Sequence, residues 1–187
     1  MRNIRLVQGS VLLLLFVAGS SLAAVSAQAA DEASDFAQTK IDIGMVVSDI
    51  EKSVKFYTEA VGFQEVQGFS VPADYSTDAG LTDGHPLEVR VLVLGEGEGA
   101  TRLKLIEMPG VESEPGKNDF VHTQLGFRYL TVLIKDTTKA MARLKKAGVK
   151  PIAKTPSLIP ESIAKDVYLT IVRDPDGNMV ELVGPKK

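Results

Sequence analysis

Cysteine and tryptophan are absent from the 187 residues, and histidine occurs only twice. Without cysteine there is no disulfide framework, no thiolate nucleophile, and no zinc or iron–sulfur site held by protein thiolates. Two histidines, His85 and His122, leave little imidazole for the iron, copper and catalytic zinc sites that depend on it. Long basic runs are missing as well. Lys+Arg 21 against Asp+Glu 24 gives a net charge of −3, and no basic stretch tracks a phosphate backbone, so nucleic acid is not an expected partner. Aromatic residues make up 6% of the chain, which weighs against a cleft built to stack flat aromatic drugs.

The chain has one long apolar stretch, and it lies at the N-terminus. Arg2 and Arg5 make a basic start, Val11 to Ala18 is unbroken, and Ala27-Gln28-Ala29 supplies a small-x-small cleavage pattern. Residues 1–29 thus read as a secretory signal cut before Ala30. Gly19, Ser20 and Ser21 interrupt the apolar run before it reaches the roughly 20 residues a spanning helix needs. No cysteine follows to carry a lipid. Cleavage removes two Arg and no acid, so 187 less 29 leaves 158 residues and the charge goes from −3 to −5. The expected location is the bacterial periplasm or the medium, with no membrane contact once the signal is gone. A domain of this size can stand on its hydrophobic core without disulfides.

After a polar lead-in, residues 30–39, the pattern of the chain is a repeat. Ile41 to Val47 is a β-branched run, and Ser48-Asp49-Ile50-Glu51 reads as a capping box in which Ser48 and Glu51 satisfy the first helical amides. Ile50, Val54, Tyr57 and Val61 recur at helical spacing and Gly62 stops the helix. Strands are expected at Phe63 to Phe69, Leu87 to Leu94 and Thr101 to Glu107, with Gly95 to Gly99 as a hairpin turn. From Gly126 the order returns. Phe127 to Ile134 is a strand, Asp136 caps a helix with the apolar face Ala140, Met141, Leu144 and Ala147, and Gly148 ends it. Val149 to Ala153, Val167 to Arg173 and Met179 to Val183 follow, the last two joined by Asp174-Pro175-Asp176-Gly177-Asn178. The fold class is therefore α+β: tandem βαβββ units in one domain, residues 40–185, with unit one at 40–110, a linker at 111–125 and unit two at 126–185.

Alternation along the strands locates a cleft. Ile43, Met45 and Val47 face the helices, which leaves Asp42, Gly44 and Val46 on the other side. The repeat puts Tyr129, Thr131 and Leu133 in the same places, and matches Lys104 to Glu181, with Arg102 and Met179 beside them. The cleft floor should carry Asp42, Arg102, Lys104, Tyr129 and Glu181. His85 and His122 read as solvated loop residues. Val71 to His85 and Val111 to Leu125 are long enough to act as lids.

The stretches Ile43-Gly44-Met45-Val46-Val47-Ser48-Asp49, Phe56-Tyr57 and Val61-Gly62-Phe63, with Asp174-Pro175-Asp176-Gly177-Asn178-Met179-Val180-Glu181-Leu182 near the end, resemble the vicinal oxygen chelate superfamily of glyoxalase I, bleomycin-resistance proteins and extradiol dioxygenases. The resemblance implies a curled mixed sheet around one cleft, often with a homodimer enclosing it. In metal-dependent members the four pseudo-symmetric cleft positions hold ligands, typically His or Gln, Glu, His and Glu. Here they read Asp42, Lys104, Tyr129 and Glu181. Only Glu181 matches, with Asp42 as a second candidate for a divalent ion, so no cofactor is expected. A protonated ammonium has no lone pair to offer, and neutral tyrosine is a poor ligand.

Three readings follow for the cleft. In the first it binds a small, anionic or amphipathic molecule: Asp42, Arg102, Lys104, Tyr129, Thr131, Met179 and Glu181 make the contacts, and Val46, Ile106 and Leu133 add apolar wall. In the second it is a lyase or isomerase that abstracts a proton next to a carbonyl, with Glu181 as base, Lys104 at the oxyanion and Tyr129 relaying the proton. In the third the cleft is inert, and Lys104 is neutralised by Asp42 and Glu181 with the Tyr129 hydroxyl closing the network.

Overall fold

Alternation of apolar with small or polar residues sets the first strand of each repeat, and the computed structural model, which describes residues 40–97 and 99–187, shows how the strands are used. β1 (Asp42–Val46) lies parallel to β4 (Thr101–Glu107). That strand runs antiparallel to β3 (Leu87–Leu94), which pairs with β2 (Gln64–Val71). The order β1-β4-β3-β2 is reproduced in the second repeat by β5 (Tyr129–Leu133), β8 (Met179–Pro185), β7 (Val167–Arg173) and β6 (Ser157–Leu158). The fold is α+β, with two four-stranded mixed sheets that are not joined to each other. The signal and the lead-in lie outside the described residues. Among those described, no helix is long and apolar enough to cross a membrane.

Helix α1 (Ile50–Lys55) continues into a π-helical stretch, Phe56–Val61, which Gly62 ends at a φ of 102° that favours glycine. In the second repeat α3 (Thr137–Lys146) takes the matching place, capped by Asp136 through the amides of Thr138 and Lys139. Tyr57, Leu92, Leu103 and Leu105 from the first repeat share one core with Leu144, Val172, Val180 and Leu182 from the second, all at most 1% exposed. Neither repeat has a core of its own on this face, so burial of apolar area couples the two. Polar ties cross the same boundary. Arg143 on α3 donates to the carbonyls of Ala60 and Val61 at 2.8 and 2.9 Å, and Tyr57 donates to Asp174 at 3.0 Å.

Three local expectations are corrected. The capping box does not form. Asp49 is the cap, accepting from the Lys52 amide at 3.0 Å, while the Ser48 hydroxyl donates to Asp176 and Glu51 pairs with Arg90 at 2.6 Å. Ser48 faces the last hairpin of the second repeat, where its hydroxyl donates to Asp176, and Asp49, one residue nearer the helix, takes the cap. The strand expected at Val149 to Ala153 is displaced. Pro151 has no amide proton and Ala153 takes a left-handed φ of 52°, so only Ile152 reaches β7, donating to the Ile171 carbonyl at 2.8 Å, and the ladder forms later as β6. Third, the segment 72–86 contains a short helix, α2 (Ala73–Asp78), stabilised by Ser76, whose buried hydroxyl donates to the carbonyls of Ala73 and His85.

Candidate functional site

The strand registers place the cleft residues in pairs. On the first sheet Asp42 stands beside Arg102, Gly44 beside Lys104 and Val46 beside Ile106. On the second, Tyr129 stands beside Met179, Thr131 beside Glu181 and Leu133 beside Val183. Each first-sheet residue thus has a positional counterpart in the second, and the intervening Ile43, Met45, Leu130 and Val132 turn to the core.

The polar side chains pair within each sheet. The Lys104 ammonium lies 2.9 Å from the Asp42 carboxylate, with both side chains about one-third exposed. That hydrogen bond, aided by the charges of Lys104, Arg102 and Lys40, holds the Asp42 carboxyl below its ordinary range against the opposing effect of burial. Glu181 accepts from the Thr131 hydroxyl at 2.8 Å and is not ion-paired with Lys104. The Tyr129 hydroxyl has no hydrogen-bond partner among the described residues. The single network expected from the sequence is therefore two local pairs, with Tyr129 outside both.

What brings the two halves together is a cavity of about 460 Å³ between β1 and β5. Residues Ile41 to Met45 line one side, Phe127 to Leu130 the other, with Asn178 and Met179 adding to the wall. This volume suits a small organic molecule. Asp42, Tyr129 and Met179 line it as well as belonging to the cleft floor. Arg102, Lys104, Thr131 and Glu181 stand outside its wall. Strand periodicity gave no sign of Ile41, Arg128 or Asn178, because they adjoin the cavity at strand edges or turns and not on the alternating face. The first sheet partly closes its own cleft face elsewhere, where Leu87, Val89 and Val91 are buried against Val71, Ile106 and Met108.

The linker expected to act as a lid is fastened. Arg128 donates to the carbonyls of Lys117 and Val121 at 2.8 and 3.1 Å, and Arg173 reaches the carbonyls of Asn118 and Asp119 at 2.6 and 3.0 Å. The cation in the cavity wall, Arg128, thus turns its Nε and Nη2 donors to the linker. His122 stacks on Phe120 with ring centroids 5.7 Å apart, and His85 lies 3.6 Å from Asp83 in its turn.

A divalent metal at the four pseudo-symmetric positions does not fit these residues. Lys104 occupies the Asp42 carboxylate with its ammonium, which places a cation where a further ligand is needed, and Thr131 donates to one oxygen of Glu181. Among the described residues no three acidic or histidine side chains gather to hold an ion.

The fold has known counterparts. A glyoxalase family protein from Bacillus cereus superposes with a TM-score of 0.64 at 16% identity, covering 82% of this chain and 98% of that one. The trypanothione-dependent glyoxalase I of Leishmania major gives 0.55 at 22% identity, covering 79% and 87%. A glyoxylase/bleomycin resistance protein/dioxygenase domain from Frankia gives 0.54 at 18% identity, covering 82% and 100%. No curated protein matches the sequence. The family profile described as Glyoxalase/Bleomycin resistance protein/Dioxygenase superfamily matches residues 41–182, and with the paired βαβββ sheets and the cavity between them it establishes that the chain belongs to this superfamily.

Proposed function

We propose that the chain is an exported, metal-independent binding protein that takes a small, largely apolar molecule between β1 and β5. The observation that carries this reading is the cavity of about 460 Å³, whose wall is mostly apolar and has polar groups only at a few points. Asp42 is ion-paired, and Arg128, the one cation of the wall among the described residues, turns its Nε and Nη2 to linker carbonyls, which favours an uncharged guest over an anion. The pairing of Lys104 with Asp42 and of Glu181 with Thr131 favours binding over proton transfer, because both groups are held by neighbours and stand outside the cavity wall.

Export and self-association belong to the same reading. The N-terminal residues support export, and N-terminal sequencing of the full chain made in a Gram-negative host is expected to find Ala30. A homodimer that closes the mouth of the cavity is supported by Leu125, Phe127 and Leu133, which are 96%, 106% and 80% exposed along one stretch of chain. Sedimentation analysis tests it.

The binding itself is tested with N-phenyl-1-naphthylamine, an uncharged apolar dye. The mature protein is expected to bind it at one saturable site, before and after dialysis against EDTA. Ile41→Glu, at a 70% exposed residue of the cavity wall, should abolish that site without unfolding the chain. Non-saturable binding, or saturable binding that Ile41→Glu leaves intact, would contradict the reading. Loss of binding on EDTA treatment would contradict metal independence.

A further inference from the structure

The wall of the cavity is unusual in that consecutive residues of both β1 and β5 line it, where a strand face would contribute only every second one. Consecutive lining means that the cavity is bordered by strand edges. Among the described residues both strands are terminal in their sheets, each bonded to a neighbour on one side only. The side left open can be assigned. Val47 donates to the Ile106 carbonyl at 2.9 Å and Ile134 to the Val183 carbonyl at 2.8 Å, which fixes the phase of the two parallel ladders. In that phase Ile43, Met45, Leu130 and Val132 spend their backbone groups on β4 and β8. The amides and carbonyls of Asp42, Gly44, Tyr129 and Thr131 are turned toward the space between the sheets.

The gap is too wide for the two strands to pair with each other. Directly paired strands lie about 4.8 Å apart, and a strand held between two others separates them by about twice that. At most two Cα pairs of β1 and β5 come within 8 Å, so the strands do not pair, and residues of both line the cavity. An edge carrying unmet donors and acceptors is a template for one more strand. Two such edges facing one another present hydrogen-bonding groups to both sides of a single extended guest.

We infer that the slit between β1 and β5 receives a short, extended, peptide-like ligand, whose amide groups bond to both strand edges and whose apolar side chains meet Ile41, Phe127 and Met179. This rests on the reading of the same cavity as a binding site, and adds to it the chemical class of the guest. An apolar molecule without amides would fill the volume and leave both edges unpaired, at the cost of desolvated backbone groups.

The experiment uses the mature protein and two probes of equal apolar content: acetyl-Ala-Val-Ala-Val-methylamide and its analogue N-methylated at alternate residues. The first is expected to bind saturably by calorimetry and to slow hydrogen exchange at the Gly44 and Tyr129 amides. N-methylation should weaken it by at least about tenfold, since each lost hydrogen bond is worth a factor of several. If the naphthylamine dye binds at its Ile41-dependent site but the peptide does not, or if the two peptides bind equally, the peptide-like assignment falls and the cavity reading stands. If neither dye nor peptide binds, both fall together. Gly44 and Tyr129 amides already protected before any peptide is added would also overturn the inference, by assigning the slit to a second copy if the protein sediments as a dimer and to residues 30–39 if it sediments as a monomer.

Discussion

The Tyr57 hydroxyl donates a 3.0 Å hydrogen bond to the Asp174 carboxylate, 117 positions later, and the two groups are 0% and 5% exposed where the helix of one repeat meets the last hairpin of the other. The same carboxylate accepts the Asp176 and Asn178 amides at 3.0 and 2.7 Å and the Asn178 side chain at 3.0 Å, so it organises the hairpin while it holds the joint. Removing the hydroxyl in Tyr57→Phe deprives a buried carboxylate of a donor and should cost about 1–3 kcal/mol. In a chain of this size that is about 2–4 °C of melting temperature per kcal/mol. A double-mutant cycle with Asp174→Asn should give a coupling energy well above the roughly 0.5 kcal/mol scatter of independent sites. Strict additivity would show that the bond does not tie the repeats.

Asp174 also predicts a pH dependence. Burial, its largest influence, raises its carboxyl pKa above 3.8 despite the hydrogen bonds that favour the anion. The folded chain therefore holds this proton more tightly than the unfolded chain. The associated stability is fully present below the ordinary carboxylate value and is lost as pH rises through the raised one. The unfolding free energy of wild type minus that of Asp174→Asn should consequently fall as pH increases from about 3.8 upward. A difference that rises over this window would contradict the sign.

Gly184 meets a steric limit near the end of β8. A Cβ there would lie 2.1 Å from the carbonyl oxygen of Ile134, and the Gly184 carbonyl accepts from the buried Thr137 hydroxyl at 3.0 Å. Gly184→Ala must push β8 away from β5 and strain that bond, at about 1–3 kcal/mol, the range for overpacking a tight site. Gly80→Ala, where an added Cβ would meet nothing within 4 Å, controls for crowding, although its φ of 72° adds local strain. Denaturant melts should show the larger loss at Gly184. An equal or smaller loss there would contradict the argument.

Much of this architecture was legible in the sequence because period-2 alternation, helix caps and terminal glycines are local signals, and the chain uses them twice. The facing of Asp42, Gly44 and Val46 and of Tyr129, Thr131 and Leu133 away from the core follows from alternation alone. What escaped was decided by distant partners. Ser48 leaves its helix because Asp176, 128 residues away, accepts its hydroxyl, and Lys104 takes Asp42 while Thr131 takes Glu181. The cavity escaped for a different reason: periodicity describes faces, and the space between β1 and β5 opens along edges, so Arg128 and Asn178 carry no periodic mark of their place in it.

The Asp42–Lys104 pair can be tested by titration. With its carboxyl held below 3.8, chiefly by the Lys104 hydrogen bond, Asp42 contributes stability that is present above the ordinary value and lost as pH falls through the depressed one. Carbon-13 NMR of the Asp42 carboxyl should show this depressed midpoint in wild type and an upward shift in Lys104→Met. Arg102 and Lys40 remain nearby, so the shift should be partial. An unmoved midpoint would mean that Lys104 is not the residue that holds it.

The fastened linker gives the last prediction. Arg173 donates to the Asn118, Asp119 and Gly177 carbonyls, and Asn118 in turn donates to Asn178 at 3.1 Å, so one guanidinium joins the linker to the hairpin that leads into β8. Arg173→Ala removes its three interactions together, and residues 117–121 are then held by Arg128, by Asn118 on Asn178 and by the local bonds of Lys117 to Thr123 and Gln124. The exposed Lys117 sits at the start of the clamped stretch and is a trypsin site. Cleavage after Lys117 needs that backbone to open locally, so its rate follows the opening free energy when reclosing is fast. Limited trypsinolysis should therefore cut Arg173→Ala after Lys117 at least about tenfold faster than wild type, which corresponds to a loss of about 1.4 kcal/mol in local stability. Equal rates at Lys117, with cleavage elsewhere unchanged, would mean that the remaining bonds suffice and that Arg173 serves only its own hairpin through Gly177.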